Sequence, residues 1–353
     1  MESIKPNKRS RSQQWCYRLT IGTLVGLILV FLAGSLVKAT DSGMGCPDWP
    51  KCFGHLIPPM DSTLVYFQAE TEYFQGQMII QGHSLWKAKT NFVSGVAFNL
   101  NNWELFETHD YATYNPVHTA IEYINRLVSV LLGFTALGML LTSFTYWKSK
   151  KTIPLLSVLV VLLIGFEAWL GRLVVDSVLA PRIISLHLFA GYALIFITSM
   201  ILGQFSASTN ILFSKKGKWF FTIAFVLLLI QLLLGTQLRE VFDDLHQSDA
   251  VDRSQWIDIA NIKFLIHRSF SLVYALFLIL AAIQFNKHKY AIDRLRKSAV
   301  LMGCMVVLEV ISGVIMEHLN IPRFAQPLHV LVSSVLFAAH SYTCVIIFRN
   351  NAS

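Results

Sequence analysis

Charge is scarce in this sequence. Only 14% of its 353 residues are Asp, Glu, Lys or Arg and 54% are hydrophobic, so the apolar residues gather in runs too long for a soluble core. Cysteine is scarce too. Of the five, only Cys46 and Cys52 stand close together, and with no second pair to complete a ligand set a metal knuckle is the least favoured reading. A small-residue cleavage site is missing after the first apolar run, which is therefore read as a retained span and not as a signal peptide. A formal net charge of +8 is present, but it is confined to particular connections between the runs and forms no nucleic-acid footprint.

Eight apolar runs remain, at 19–37, 119–146, 153–175, 183–204, 219–238, 259–285, 298–317 and 326–348. Runs of about 20 residues cross ~30 Å of hydrocarbon. Lipid offers the backbone no hydrogen bonds, so runs of this length must be helices. The expectation is an all-α membrane protein with eight transmembrane helices. Lys5, Lys8, Arg9, Arg11 and Arg18 precede the first run. Lys148, Lys150 and Lys151 follow the second, and Lys215, Lys216 and Lys218 follow the fourth. Lys287, Lys289, Arg294, Arg296 and Lys297 follow the sixth, and Arg349 ends the eighth. Basic residues on every second connection put both termini in the cytoplasm. Asp243, Asp244, Asp249 and Asp252 then fall outside, as does the long polar-aromatic loop 38–117. A loop of that length is expected to be functional, with interfacial helices capping a site on the outer face. No Arg- and Ser-rich presequence precedes the first span, which favours a bacterial cytoplasmic (inner) membrane.

The chain repeats itself. Asn125 and His267, Gly171 and Gly313, and His187 and His329 are all separated by the same interval, which marks an internal repeat. Each half ends on the same device: residue 125 or 267 beside an Arg on one helix, and a His two helices later. Residues 118, 122 and 125 share one helix face. A Glu and an Arg inside a span mark a functional site by default, so Glu122 and Arg126 stand out. The plain alternative is an ion pair at i, i+4 that neutralises itself.

Asn125, His187, His267 and His329 all lie near the outer ends of even-numbered spans. His267 and His329 belong to one half and suit two axial ligands of one metal held between bundle helices. Haem fits better than zinc, which wants four ligands. It also fits better than a di-iron site, since Glu122-x-x-Asn125 lacks the required His. The first half offers His187 with only Asn125 opposite, an arrangement that suits a haem held as substrate. Glu122, one turn away, would act as a base or stabilise a developing cation. Arg126, Arg172, Arg182, Arg268 and Arg323 gather on the outer side, and their forked donors suit haem propionates. For Cys46 and Cys52 the residues leave a structural disulfide and a redox pair both open.

Gly43-Met44-Gly45-Cys46-Pro47-Asp48-Trp49-Pro50-Lys51-Cys52, Glu122-x-x-Asn125-Arg126, Gly171-Arg172-Leu173-Val174 and the three span histidines resemble the haem A synthase family, in order and over nearly the whole chain. The resemblance implies two pseudo-symmetric four-helix bundles. Residues 1–213 would carry the outer loop and the substrate haem site, and residues 214–353 the haem b cofactor. It implies an oxidoreductase acting on a methyl group, converting the C8 methyl of haem O to the formyl of haem A by successive hydroxylations. Carried over, His267 and His329 hold haem b iron, His187 serves the substrate haem, and Glu122 is catalytic. Arg126, Arg172 and Arg268 position propionates. Cys46 and Cys52 match the family's outer cysteine pair, a disulfide or redox couple. The implied partners are haem O, a haem O synthase, cytochrome oxidase assembly factors and a membrane electron acceptor, with no nucleic acid and with a homo-oligomer left open.

One residue departs from the pattern. Many members have His where this chain has Asn125, so the sixth position of the substrate haem falls to Asn125, to His118, to a loop histidine such as His83 or His109, or to nothing. A di-haem cytochrome b-type electron carrier is the rival reading, and it would want two equal bis-His sites. A secondary transporter, the third, would want sites near the bilayer midplane on broken helices.

Overall fold

The computed structural model describes residues 10–107, 113–206, 215–248, 251–286 and 293–349. Lys5, Lys8, Arg9, His109, Asp249, Lys287 and Lys289 lie outside the described residues. The chain is mostly helical: α1 (Arg11–Ala39), α2 (Pro116–Ser143), α3 (Thr152–Asp176), α4 (Pro181–Gln204), α5 (Lys215–Ser248), α6 (Trp256–Asn286), α7 (Asp293–His318) and α8 (Ala325–Arg349). All eight are long and apolar enough to cross a membrane, as the runs in the sequence predict. Pro116 and Pro181 open α2 and α4 at the first helical position, where a missing N–H costs nothing.

The connection between α1 and α2 corrects the sequence reading. Its described residues form strands, β1 (Glu72–Tyr73), β2 (Met78–Gln81), β3 (Ser84–Ala88), β4 (Phe92–Val93) and β5 (Trp103–Leu105), with helix limited to single 3-10 turns at Ser62–Val65 and Leu100–Asn102 where interfacial helices were expected. The strands β2, β3 and β5 form one antiparallel sheet, and β1 pairs with β4. The reason is local. Met78-Ile79-Ile80 and Leu85-Trp86 are β-formers, and Gly82 supplies the positive φ of +67° at the first position of their two-residue hairpin. Tyr73, Ile79, Ala88 and Trp103 bury one face against Phe67, Trp86, Phe92 and Phe98. The other face, Met78, Ile80 and Leu85, packs on Phe53, Val65, Cys46 and Cys52. The cysteine pair is therefore part of the core of this small β-structure.

The described residues group into two compact units. One comprises Ala33–Ser129 and Ala168–His187: the β-structured connection with the C-terminal ends of α1 and α3 and the N-terminal ends of α2 and α4. The other takes in the described residues of Met1–Leu32, Val130–Glu167 and Leu188–Ser353. In this second unit α5 packs on α6 and α8, and α7 on α8. Helix α8 is enclosed, burying Val332, Ser334, Leu336–Ala339 and His340. Tyr192 of α4 meets it through Phe337, with ring centroids 5.1 Å apart, and through Ser333 Oγ at 3.0 Å. Some of the basic residues counted in the sequence cap the end of α4. Arg349 Nη1 donates to the carbonyls of Gly203 and Gln204 at 2.9 Å, and Lys150 Nζ donates to Gln204 O at 2.9 Å. Cations at a helix C-terminus satisfy its last carbonyls and its dipole.

The repeat is visible in the backbone. Helix α3 ends in a turn with Val178 and Leu179 at φ 53° and 62°, and α7 ends with Asn320 and Ile321 at φ 52° and 54°. Leu179 N donates to Val174 O at 2.9 Å, and Ile321 N donates to Met316 O at 2.8 Å. Every member of this set is separated from its counterpart by the interval that relates His187 to His329. These six-to-one bonds close a Schellman-type helix end, normally the place of Gly. Side chains such as Val and Ile rarely adopt it, yet both halves do so at the same register.

Candidate haem-type sites on two helix faces

The first candidate site lies on the N-terminal end of α2. Cys46 and Cys52 form a disulfide with Cα atoms 4.7 Å apart, which resolves the open pairing in favour of a bond. The loop they close is strapped along α2. Thr119 Oγ1 donates to Gly45 O at 2.7 Å. Cys46 N–H donates to Glu122 Oε2 at 2.7 Å. Arg126 Nη1 donates to Asp48 O at 2.9 Å and to Lys51 O at 2.7 Å. Thr119, Glu122 and Arg126 are spaced i, i+3 and i+7, so a single helix face holds the loop. Gly45 is required there, because a β-carbon would stand 2.5 Å from His118 O and 2.8 Å from Thr119 N.

Glu122 is 4% exposed, and its Oε1 meets Arg126 Nη2 at 2.5 Å. The ion pair that sequence spacing allowed is therefore formed. It is more than self-neutralisation, because the second carboxylate oxygen is taken by the disulfide loop. Beside the pair, burial raises the Asp48 carboxyl above its usual range, opposed by the N–H groups of Gly54 and Phe53 and by Arg126.

Asn125 stands three residues beyond Glu122. Its Oδ1 is buried with no hydrogen-bond partner among the described residues, and a β-carbon on Gly34 of α1 would lie 3.9 Å from it. A buried amide oxygen left open is costly, which fits a site awaiting a bound group. His187 of α4 lies against Gly171 of α3, where a β-carbon would be 3.9 Å from Cε1 and 4.0 Å from Nε2. His118 is half-buried. Arg172 is paired on its own helix with Asp176 at 3.1 Å and is half exposed. His83 is exposed at the β2–β3 hairpin tip.

The second candidate site lies between α6 and α8. The rings of His267 and His329 have centroids 6.4 Å apart with planes at 65°. Two metal–nitrogen bonds of ~2.0 Å, plus ~1.1 Å from each ring centre to its nitrogen, add to about 6.2 Å. The separation of the two rings is compatible with one haem iron between them. Around it, Gln231 Nε2 of α5 donates to His267 O at 3.1 Å and lies 3.2 Å from its Nδ1. Gly235 makes room for the ring, since a β-carbon would come within 2.9 Å of Cε1. His329 Nδ1 meets Glu309 Oε2 at 2.7 Å and Ser312 Oγ at 2.8 Å. Arg268 donates to Glu317 Oε1 at 2.6 Å and lies 5.7 Å from the Phe264 ring.

Sequence reasoning passed over Thr119, Gln231, Glu309 and Ser312. One signal was available: Glu167 and Glu309 are also related by the repeat interval. Ser312 had none, because its counterpart at that interval, Leu170, is apolar, and Gln231 had none, because counting from Gly34 and Gly235 matches it to Val30.

The model of the cytochrome oxidase assembly protein family, COX15-CtaA, matches residues 17–94 and 110–341. The chain is 29% identical over 182 residues to a heme A synthase of Shewanella oneidensis, a match covering 51% of this chain and 42% of that protein. Over longer spans it is 23% identical across 340 residues to the heme A synthase of Halalkalibacterium halodurans, covering 94% of this chain and 96% of that one. It is also 23% identical across 355 residues to the heme A synthase of Shouchella clausii, covering 95% and 98%. With most of its length so matched, the chain belongs to the COX15-CtaA family of cytochrome oxidase assembly proteins.

Proposed function

We propose that this chain is a haem A synthase, a membrane oxidoreductase that converts the C8 methyl of haem O to the formyl of haem A for terminal oxidases. The observation that carries the reading is Glu122: a carboxylate buried inside a span, fixed at one oxygen by Cys46 N–H and at the other by Arg126, three residues from the open Asn125 oxygen. Relatives named heme A synthase, aligned over 94% and 95% of the chain, support it.

In this reading His187 holds the substrate haem iron, with Asn125 or His118 on the α2 side. Glu122 is the base that takes the proton released as the hydroxylated carbon is oxidised further. Its two anchors keep it from rotating away as the substrate changes. His267 and His329 would hold haem b, which would supply one-electron transfer towards a membrane electron acceptor. Arg126, Arg172 and Arg268 orient propionates, since a guanidinium has five donors and the carboxylate partners of Arg172 and Arg268 use only some of them.

The same reading takes residues 1–213 and 214–353 as pseudo-symmetric four-helix halves, supported by the paired α3 and α7 turns. It sets the chain in a bacterial cytoplasmic membrane, with both termini inside and the haem sites towards the outer face, supported by the alternating basic connections. A haem O synthase and oxidase assembly factors would be its neighbours.

The test is to purify the protein from a host that makes haem O and to identify the extracted haems by chromatography and mass. Haem A or its hydroxylated precursor beside haem B is expected. Haem B alone, in two equal bis-His sites, would contradict the proposal and favour a di-haem electron carrier.

A further inference from the structure

We propose that Glu309, together with Ser312, is the positioning residue for His329. The two side chains fix the imidazole tautomer that leaves Nε2 free for iron, and the Glu309 carboxylate makes that nitrogen the stronger axial donor. The inference rests on the bis-His haem b reading above and deepens it.

Counting protons gives the tautomer. The Ser312 hydroxyl donates to Glu309 O at 3.0 Å, so its oxygen meets His329 Nδ1 as an acceptor at 2.8 Å. Glu309 Oε2 lies 2.7 Å from the same nitrogen, and a carboxylate can only accept. Two acceptors converge on Nδ1, so Nδ1 carries the hydrogen and Nε2 carries the lone pair. Both partners come from one turn of α7, spaced i, i+3, and α7 packs along α8.

The carboxylate has little other employment. Its Oε1 is buried with no hydrogen-bond partner among the described residues, and an ionisable group inside a span is retained only where it does something. The two axial histidines are furnished unequally. His329 has a carboxylate on its Nδ1, while the neutral Gln231 amide lies 3.2 Å from Nδ1 and 3.5 Å from Nε2 of His267 and favours neither nitrogen as strongly. A carboxylate on the outer N–H raises ligand basicity, which favours the ferric state and lowers the reduction potential. The spacing recurs in the sequence: Glu167 precedes His187 by the same interval as Glu309 precedes His329.

The experiment compares full-length, haem-loaded wild type with E309Q, E309D, S312A and H329A. Three quantities are read: the low-spin haem b spectrum, the midpoint potential, and the rate of haem b loss to an apo-globin acceptor. E309Q is expected to keep a low-spin spectrum, to shift the midpoint upward, and to release haem b ~10–100-fold faster. E309D should recover part of both changes, and S312A should move both in the same direction by less. If E309Q does not accumulate, S312A carries the test. A potential and loss rate equal to wild type in the variant tested overturn the inference. H329A separates the two levels. Loss of its low-spin spectrum beside an unchanged E309Q overturns the role of Glu309 alone, whereas a wild-type spectrum in H329A overturns the bis-His reading itself.

Discussion

Around α2, residue 125 is an asparagine with Gly34 of α1 against it, and around α6 residue 267 is a histidine with Gly235 of α5 against it. The local plan is similar in both regions, with a glycine on the facing helix and an arginine following, although only Gly235 is sterically required, its β-carbon falling 2.9 Å from His267 Cε1 against 3.9 Å from Asn125 Oδ1 for Gly34. The furnishing differs at each step. Four residues before the arginine stands Glu122 in the first region and Phe264 in the second. Arg126 binds Glu122 and the carbonyls of Asp48, Pro50 and Lys51 in the disulfide loop, while Arg268 reaches across to Glu317 on α7. Where α5 presents Gln231 to His267, the matching position of α1, counted from the two glycines, is Val30. Where α7 presents Ser312 to His329, the position one repeat earlier is Leu170. One region thus has polar groups supporting two histidines and no carboxylate before its arginine. The other has a fixed carboxylate before its arginine and one histidine. Under the proposed function, these few side chains would let one region hold a group permanently and the other handle one as substrate.

The largest effect that would sharpen this contrast is expected from E122Q. The amide oxygen still accepts from Cys46 N–H, so the loop stays docked, but the base is gone. Turnover of haem O should fall by ~10²–10⁴-fold with haem b content unchanged. Steady-state product formation on haem-quantified protein checks it, and an unaltered rate would remove Glu122 from the chemistry. Next comes N125H, which gives the first region the ligand of the second. Haem O and its product should dissociate ~10–100-fold more slowly, measured by transfer to an apo-acceptor, and no slowing would mean that residue 125 does not face the substrate iron. The smallest effect belongs to Q231V, which makes the second region resemble the first. Losing one net hydrogen bond of about 0.5–1.5 kcal/mol should speed haem b loss only several-fold. A complete loss of haem b would show that the second region depends on Gln231 as much as on its histidines.

The spans were legible because lipid forces a single solution on a long apolar run. The repeat was legible because His187 and His329, and Gly171 and Gly313, keep one separation. The β-structure between α1 and α2 was not, because short strands such as Glu72–Tyr73 and Phe92–Val93 carry too few residues to show a period. Nor did the sequence show that the disulfide loop docks on the Glu122 face. That contact runs through backbone atoms of Gly45, Cys46, Asp48 and Lys51, and backbone atoms leave no residue-specific mark. Glu309 keeps the repeat interval from Glu167, but which histidine it serves shows only in the packing of α7 on α8.

The central claim is that the two regions hold different haems. The most direct measurement is haem analysis of H329A and H187A, each purified in parallel from a host making haem O. The account predicts that H329A loses haem B and keeps haem O, while H187A keeps haem B and loses haem O and its oxidised products. Loss of the same haem from both variants would contradict it.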